Sequence, residues 1–295
     1  MQLCTYRYVG NNMKNEPEFQ GQHKIPQVYL KEFGYKKEDE WWISVLKIGS
    51  RKTENVRITD FTKETNVFDL PFKDMESRRH YENLFNKIEN RYNTIIKNLL
   101  NQKKLIEKDD DYLNHFVANI LSRTNPTRFF IFEFLKDNSI REKFINEITL
   151  FSEDKEHTEK VLKIFKVEYQ LNVALGTVMN HFVHVLRNFN KVIIKECDGK
   201  GWLTTDSPVH IDKQGREEWL IPIEAEIYLP LSKDFCLFMY HPKSEISTNP
   251  LRKLKINKIN KVDFNTFDSI TKKVTFDFDE YLIMNTETEP TEIRT

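Results

Sequence analysis

The sequence has 295 residues, enough for one large domain or two ordinary ones. Hydrophobic residues make up 39% of it and aromatic residues 13%, so a sizeable core can form. The 45 basic and 45 acidic residues cancel, which excludes attraction of the whole protein to nucleic acid or anionic membrane but allows a local basic patch. The three cysteines have no C-x-x-C spacing, which fits a reducing cytosol better than a zinc ribbon or a disulfide framework.

The N-terminus has no apolar signal-peptide core, and no apolar run is long enough to span a bilayer. We therefore expect a cytoplasmic protein with no membrane partner. Residues 1–21 are polar and predict an N-terminal arm. The next stretch predicts a short helix over about 26–33, with Pro26 at its first position and Gly34 as a left-handed cap.

Gln22 and His23 lie just before this predicted helix. Free N–H groups and the helix dipole favour anions there and disfavour imidazolium. A neutral His23 beside an anion-favouring helix end is a candidate general acid or base, or a contact for phosphate. The alternative is a polar cap that ties the N-terminal arm to the helix.

The middle of the chain is predicted to be mostly helical. Two short strands come first, at 41–48 and 55–58, before an irregular segment over 59–73. Apolar residues at three- and four-residue spacings then predict helices over 74–108, from 109 to a break at Pro126, onward to 135, and over 138–150 and 154–189.

After residue 190 the period changes to two. We predict a hairpin of 191–197 and 202–205 around an Asp-Gly turn, a meander of strands at 217–222, 225–230 and 235–241, a helix over 257–272 and a final strand over 274–283. The fold class is α+β: a helical middle region packed on a mostly antiparallel sheet, in a single compact domain over 22–285, followed by a frayed tail over 286–295.

Carboxylates supply the next candidates. Asp206 follows a predicted strand and could bind a metal or orient a histidine, although Asp-Ser-Pro also forms a good Asx-turn. Glu82 and Glu89 share one helix face and could hold a divalent metal such as Mg²⁺. Glu89 borders the apolar stripe, whereas we expect Glu82 to be solvated, and an ion pair is the alternative for Glu89.

Basic residues flank the helix break. Arg123 and Arg128 could clamp a phosphate or a carboxylate, or cap exposed carbonyls, and Arg123 is the better candidate because it directly follows the apolar face. His181 and His184 are three apart, but they lack the rest of a zinc motif and more often such histidines are structural.

A basic segment with apolar interleaving could contact nucleic acid, although such runs are more often a solvated helix face. Its cations are Arg252, Lys253, Lys255, Lys258 and Lys261. No P-loop, G-x-G-x-x-G, G-x-S-x-G or kinase signature occurs. A protein partner or a homo-oligomer stays open.

The ordered motifs resemble the bacterial domain-of-unknown-function family 4238. That family opens with Q-H-x-x-P-x-x-Y-L-x-x-F, has an I-E pair and an R-T-x-P-x-R-like break on helices, and then T-S-D-N-P-V and P-L-S stretches. The corresponding residues are Gln22–Phe33, Ile88–Glu89, Arg123–Arg128, Thr204–Val209 and Pro230–Ser232. Thr205 and Ser207 depart from the fourth motif.

The resemblance implies a shared pocket at the motif positions Gln22, His23, Glu89, Arg123 and Asp206. We expect a cytosolic hydrolase, such as a nuclease or phosphodiesterase of phage defence or of a toxin system. In it His23, Asp206 and Glu89 are catalytic, with Asp206 and Glu89 orienting His23 or holding Mg²⁺.

Gln22, Arg123 and Arg128 would bind the substrate of this hydrolase. The alternative is a non-catalytic ligand-sensing or protein-binding module that uses the same pocket. In a third interpretation the motifs only lock the N-terminal segment onto the core.

Overall fold

The computed structural model describes residues 19–70, 72–102, 104–143, 170–213, 221–245, 248–276 and 278–284. These residues form an α+β fold, as predicted. The strands are β1 (Gly21–His23), β2 (Tyr35–Lys37), β3 (Glu40–Lys47), β4 (Thr53–Arg57), β5 (Lys63–Thr65), β6 (Asn190–Lys195), β7 (Thr204–Thr205), β8 (His210–Asp212), β9 (Glu226–Pro230), β10 (Phe235–Tyr240), β11 (Ile259–Asn260) and β12 (Tyr281–Met284). The helices are α1 (Gln27–Leu30), α2 (Met75–Arg78), α3 (His80–Glu89), α4 (Tyr92–Gln102), α5 (Glu107–Arg123), α6 (Asn125–Leu135), α7 (Gln170–Leu186) and α8 (Phe264–Val274), with a 3-10 helix at Pro250–Lys253.

Two five-stranded sheets and a two-stranded ribbon make up the β part. The first sheet has the order β11-β6-β10-β9-β8, and only its β11–β6 pair is parallel. In the second sheet β2 and β12 lie along one edge of β3 and β4 lies along the other, with β7 beyond β12. The ribbon pairs β1 with β5 and sets His23 opposite Lys63.

The core joins the sheets to the helical middle region. One continuous cluster of buried side chains draws on both five-stranded sheets and on most of the helices. Helix α5 runs through its centre, since every residue from 116 to 123 is buried. A helix that is buried on all sides at its C-terminal end can place a polar terminal side chain, Arg123, inside the protein. No helix of the described part of the chain is both long and apolar enough to cross a membrane.

The helical region differs from its prediction in where helices end. The predicted helix over 74–108 is three helices, α2, α3 and α4, because short polar turns interrupt it while the apolar faces on either side still pack on one core. Helix α5 ends at Arg123 and α6 begins at Asn125, so Pro126 lies in a first turn, where its missing N–H costs nothing. Residues 138–143 are helical, whereas 144–169 lie outside the described residues.

The predicted hairpin after residue 190 is wrong. Asp198 and Gly199 have positive φ, +52° and +71°, as such a turn requires. However, β6 pairs with β10 and β11, whereas β7 pairs with β12 in the other sheet. The chain leaves β6 because Trp202 is fully buried against Phe267, with ring centroids 4.4 Å apart.

The last elements are shifted along the chain. Residues 259–260 form β11 rather than the start of the predicted helix, which begins at Phe264 after Asp263 caps it by accepting from Thr266 N at 2.8 Å. Val274 ends that helix, so the final strand is only β12. The predicted strands at 225–230 and 235–241 are confirmed as β9 and β10. Most of 217–222, most of the predicted arm and the predicted tail lie outside the described residues.

Candidate functional site

The first motif forms a strand, a turn and one short helix. Gln22 and His23 lie in β1, and α1 has only four residues, with Pro26 just before it. A helix this short has almost no dipole, so the predicted anion-favouring helix end is wrong. Gly34 does not have a positive φ either; a Cβ there would lie 2.6 Å from the carbonyl oxygen of Trp42. The glycine is therefore required by the close approach of β3.

Gln22 is fully buried and its amide binds the chain itself. Its Oε1 accepts a hydrogen bond from Phe68 N at 2.7 Å, and its Nε2 donates to Asp69 Oδ1 at 2.7 Å. Asp69 is also buried and pairs with Arg78 at 2.7 Å and Arg79 at 3.4 Å. The side chain of Gln22 thus fastens β1 to residues 68–69.

Arg123 brings three of the predicted site residues together. Its side chain is 3% exposed, and its Nη1 donates to Glu89 Oε1 at 2.5 Å. Its Nη2 donates to the backbone carbonyl of His23. The guanidinium also lies 4.4 Å from the ring centroid of Phe85. Arg123 is therefore buried, and it binds His23 through the backbone of that residue.

The two carboxylates on α3 have different surroundings. Glu89 is neutralised by Arg123, whereas Glu82 Oε2 is buried with no hydrogen-bond partner among the described residues. Burial raises the pKa of Glu82; the charge of Arg123 opposes this shift and that of Glu89 adds to it. The expectation that Glu82 is solvated is wrong, because α3 turns this face toward the buried charges.

The His23 ring is half-buried and held in one orientation. Its Nε2 donates to the carbonyl of Thr59 at 3.0 Å, because a carbonyl can only accept. This assigns the lone pair to Nδ1; Gln27 Nε2 lies 3.4 Å from Nδ1 and 3.2 Å from Nε2. Burial lowers the pKa of His23, and the charges of Arg123 and Lys63 lower it further. The ring is therefore neutral at pH 7 and offers Nδ1 as a base.

A small cleft lies beside this ring. It has a volume of about 180 Å³, and its lining is Gln27, Lys31, Asp39, Glu40, Trp41, Ile58 and Thr59. Gln27 and Thr59 also hydrogen-bond to His23, so the ring lies behind one wall of the cleft. Its acidic residues already have partners, since Asp39 pairs with Lys36 and Glu40 with Arg57.

Asp206 lies apart from His23. Its Oδ1 accepts from Asp279 N at 3.0 Å, and its Oδ2 accepts from Glu280 N at 2.7 Å and Tyr281 N at 3.1 Å. Burial raises the pKa of Asp206 to about 6, while these backbone donors act in the opposite direction. No hydrogen bond or ion pair among the described residues joins it to His23, Glu89 or Arg123. The carboxylate instead organises the start of β12.

Arg128 faces a different neighbourhood from Arg123, but both guanidinium groups lie against Phe68. Their distances from that ring centroid are 5.1 and 5.3 Å. Arg128 donates to Val67 O at 3.4 Å and to Asn172 Oδ1 at 3.5 Å. Burial lowers the pKa of Arg128 to about 10.

The basic segment is split by the fold. Arg252 pairs with the buried Glu226 at 3.1 Å and is only 12% exposed, so it does not belong to a solvent-facing patch. The segment is a 3-10 turn, a loop and β11 rather than a helix face. Its four lysines are exposed: Lys253, Lys255, Lys258 and Lys261. Their contact with nucleic acid stays a prediction.

Metal sites are not evident in the described ranges. No group of three or more His, Cys, Asp or Glu side chains there is placed to hold a metal ion. His181 and His184 are both exposed on α7.

Sequence reasoning missed several residues of the site. Phe68 and Asp69 come from a segment with no regular period, so no pattern marked them. Gln27 and Thr59 contact the His23 ring; Gln27 is four residues after His23 within the first motif, a spacing that could have suggested the contact. Thr59 had no such signal.

The class of this protein is defined by its fold and its site. The fold is α+β, and a buried arginine links an N-terminal Gln-His strand to the helical region. The chain belongs to the family described as "Protein of unknown function (DUF4238)", whose sequence model matches residues 21–285. This match confirms the resemblance seen in the motifs. Comparison with curated proteins and with solved structures gives no match.

Proposed function

We propose that this chain is a phosphodiester hydrolase in which His23 is the general base. One arrangement carries the proposal: a neutral imidazole, fixed by the Thr59 carbonyl, directly behind the cleft wall that Gln27 and Thr59 form. A general base needs a free lone pair, an orienting partner and a pKa near or below the working pH. His23 has the orienting partner and the lowered pKa, and its Nδ1 lone pair faces only the long contact from Gln27 Nε2, which a water can replace.

The cleft suits a phosphate ester better than a neutral substrate. Lys31 lines it, and its two acidic residues are already paired with cations. In the proposed reaction a water oxygen bonds to phosphorus, Nδ1 of His23 takes the water's proton, and the P–O ester bond breaks. The alkoxide leaving group then takes a proton from His23 or from solvent. Lys31 stabilises the charge on the phosphoryl oxygens.

Arg123 and Glu89 are positioning residues in this mechanism. Arg123 holds the His23 carbonyl and Glu89 holds Arg123. Asp206 has no role in the proposed chemistry, because its oxygens bind the backbone at 279–281. Action on nucleic acid in phage defence or a toxin system stays a prediction.

The test is cleavage by the full chain of bis-para-nitrophenyl phosphate, single-stranded DNA and single-stranded RNA, with and without Mg²⁺. His23→Gln should lower kcat/KM roughly 100- to 10,000-fold. The matched control is His184→Gln on the exposed face of α7, which should retain full activity. The acid limb of the wild-type pH profile should lie below the ordinary histidine value of 6.5. Cleavage that survives His23→Gln unchanged rejects the mechanism.

A non-catalytic ligand-sensing or protein-binding module is the second candidate. It is favoured by the pairing of Gln22, Arg123 and Asp206 with the chain's own groups, which leaves few motif side chains for substrate. The two candidates differ in turnover. Saturable thermal stabilisation by a phosphate ester, lost in Lys31→Met and accompanied by no cleavage, would favour the module.

A further inference from the structure

Arg128 has an unusual environment for a partly buried guanidinium. It lies in the first turn of α6, against the ring of Phe68 at 5.1 Å. Its hydrogen bonds run to Val67 O and Asn172 Oδ1, at 3.4 to 3.5 Å. Both acceptors are uncharged, and both distances exceed the usual range of about 2.7–3.2 Å. These contacts orient the group but bind it weakly.

The carboxylates of this region already form ion pairs with other cations. Glu64 pairs with Lys24, Asp69 pairs with Arg78 and Arg79, and Glu89 pairs with Arg123. Among the described residues no carboxylate forms an ion pair with Arg128. Desolvation of a cation is costly, and burial lowers the pKa of Arg128 for the same reason, while the charge of Glu64 acts in the opposite direction.

We propose that Arg128 is the anchor of a binding site for a small oxyanion, a single phosphate or carboxylate group. The guanidinium fork can hold two oxygens of such a group, and the bound charge would supply the missing counter-ion. Arg123, whose guanidinium lies 5.3 Å from the centroid of the same Phe68 ring, adds positive potential nearby. The site is separate from the cleft beside His23 and does not depend on hydrolysis there.

The test measures the melting temperature of the full chain against inorganic phosphate, with chloride at matched ionic strength. Wild type should show a saturable rise, because a ligand of the folded state stabilises it by mass action. Arg128→Met should abolish the rise. Arg141→Met is the control, since Arg141 is partly exposed and its side chain bonds only to Asn138 among the described residues, and it should keep the rise.

Stability without the anion separates a binding site from a structural tie. In phosphate-free buffer Arg128→Met should melt at or above the wild-type temperature, because it removes a desolvated cation that forms no ion pair with a carboxylate of the described residues. A clear fall in its melting temperature, with no saturable response of wild type, would overturn the proposal. An equal response of wild type and Arg128→Met would overturn it as well.

Arg128→Lys keeps the charge and tests the fork if the methionine variant does not fold. It should weaken phosphate binding by about tenfold or more. Undiminished binding by this variant would contradict a bidentate site. His23→Gln should keep the full response to phosphate, so loss of hydrolysis and loss of anion binding are distinguishable.

The source of the oxyanion is decided by three arms: inorganic phosphate, a 5′-mononucleotide, and a short single-stranded oligonucleotide. Each compound is tested for competition with inorganic phosphate at Arg128. The strongest competitor shows in which form the site binds the oxyanion.

Discussion

A single guanidinium, Arg123, connects α5, α3 and β1. Its donors reach Glu89 on one side and the carbonyl of His23 on the other, while Phe85 covers one face. The arrangement makes the two α3 carboxylates unequal, because only Glu89 receives a full counter-charge.

We expect opposite effects from removing these two carboxylates. Glu89→Gln should lower the free energy of unfolding by about 3 kcal/mol, because it leaves Arg123 buried and unpaired. Glu82→Gln should raise it by about 1 kcal/mol at about pH 8, because it removes a carboxylate with a buried oxygen that lacks a partner. Urea unfolding of both variants measures the two changes.

The pH dependence of Glu82→Gln follows from the raised pKa. The wild-type carboxyl contributes its stability below the ordinary value of 4.5 and loses it as the pH rises through the folded-state value. The gain of the variant should therefore shrink toward about pH 4. A gain that is constant with pH would contradict the assigned environment.

His23 should make stability fall on the acid side. Its folded-state pKa lies below the ordinary 6.5, so the neutral ring is favoured, and stability is lost as the pH falls below 6.5 through the folded-state value. His23→Gln should flatten this part of a melting-temperature profile between about pH 5 and pH 8. His184→Gln should leave the profile unchanged, and a flattening in this control would show that the effect is not specific to His23.

At the scale of elements, the turn between β2 and β3 departs from residue preference. Glu38 and Asp39 have φ of +49° and +64°, the left-handed values of a type I′ turn. Asn and Gly suit these positions better than Glu and Asp. The turn also places Asp39 at the cleft, so the strained positions contribute to the cleft lining as well.

Replacing both turn residues, Glu38→Asn with Asp39→Gly, should raise the free energy of unfolding by about 1 kcal/mol. Thermal or urea unfolding measures the change. Glu54→Asn in β4, which is exposed and has no positive φ, is the control and should give no gain. A destabilised double variant would mean that the side chains, rather than the backbone, hold the turn.

Across the whole molecule, Asp206 acts as a structural carboxylate. It binds three consecutive backbone N–H groups at 279–281 and so ties β7 to the beginning of β12. Tyr29 adds a second tie, because its hydroxyl bonds to Thr204 Oγ1 at 2.5 Å. Through these contacts the first and fourth motifs hold the N-terminal strands against the C-terminal one.

Asp206→Ala should lower the free energy of unfolding by about 3 kcal/mol, because it leaves backbone donors unsatisfied. The folded fraction should keep the activity of wild type. Unfolding curves and turnover per folded molecule, measured on one preparation, test both statements. A variant with unchanged stability and lost turnover would make Asp206 catalytic.

The fold class, the order of most elements and the family could all be predicted from the sequence alone. Periods of 3.6 and 2 are set by which side chains must be buried, so they report helices and strands locally. The resemblance to the family grouped Gln22, His23, Glu89, Arg123 and Asp206. Hydrogen bonds join Arg123 to Glu89 and to the backbone of His23, whereas the side chains of Gln22 and Asp206 bind other segments of the chain.

The partners of the polar side chains could be identified only in the tertiary structure. Arg123 contacts the His23 backbone 100 residues away, and Asp206 contacts backbone more than 70 residues away. Strand pairing is equally non-local, which is why the predicted hairpin after β6 was wrong. Local sequence encodes burial, whereas the partners of a buried charge depend on which distant segments the core brings beside it.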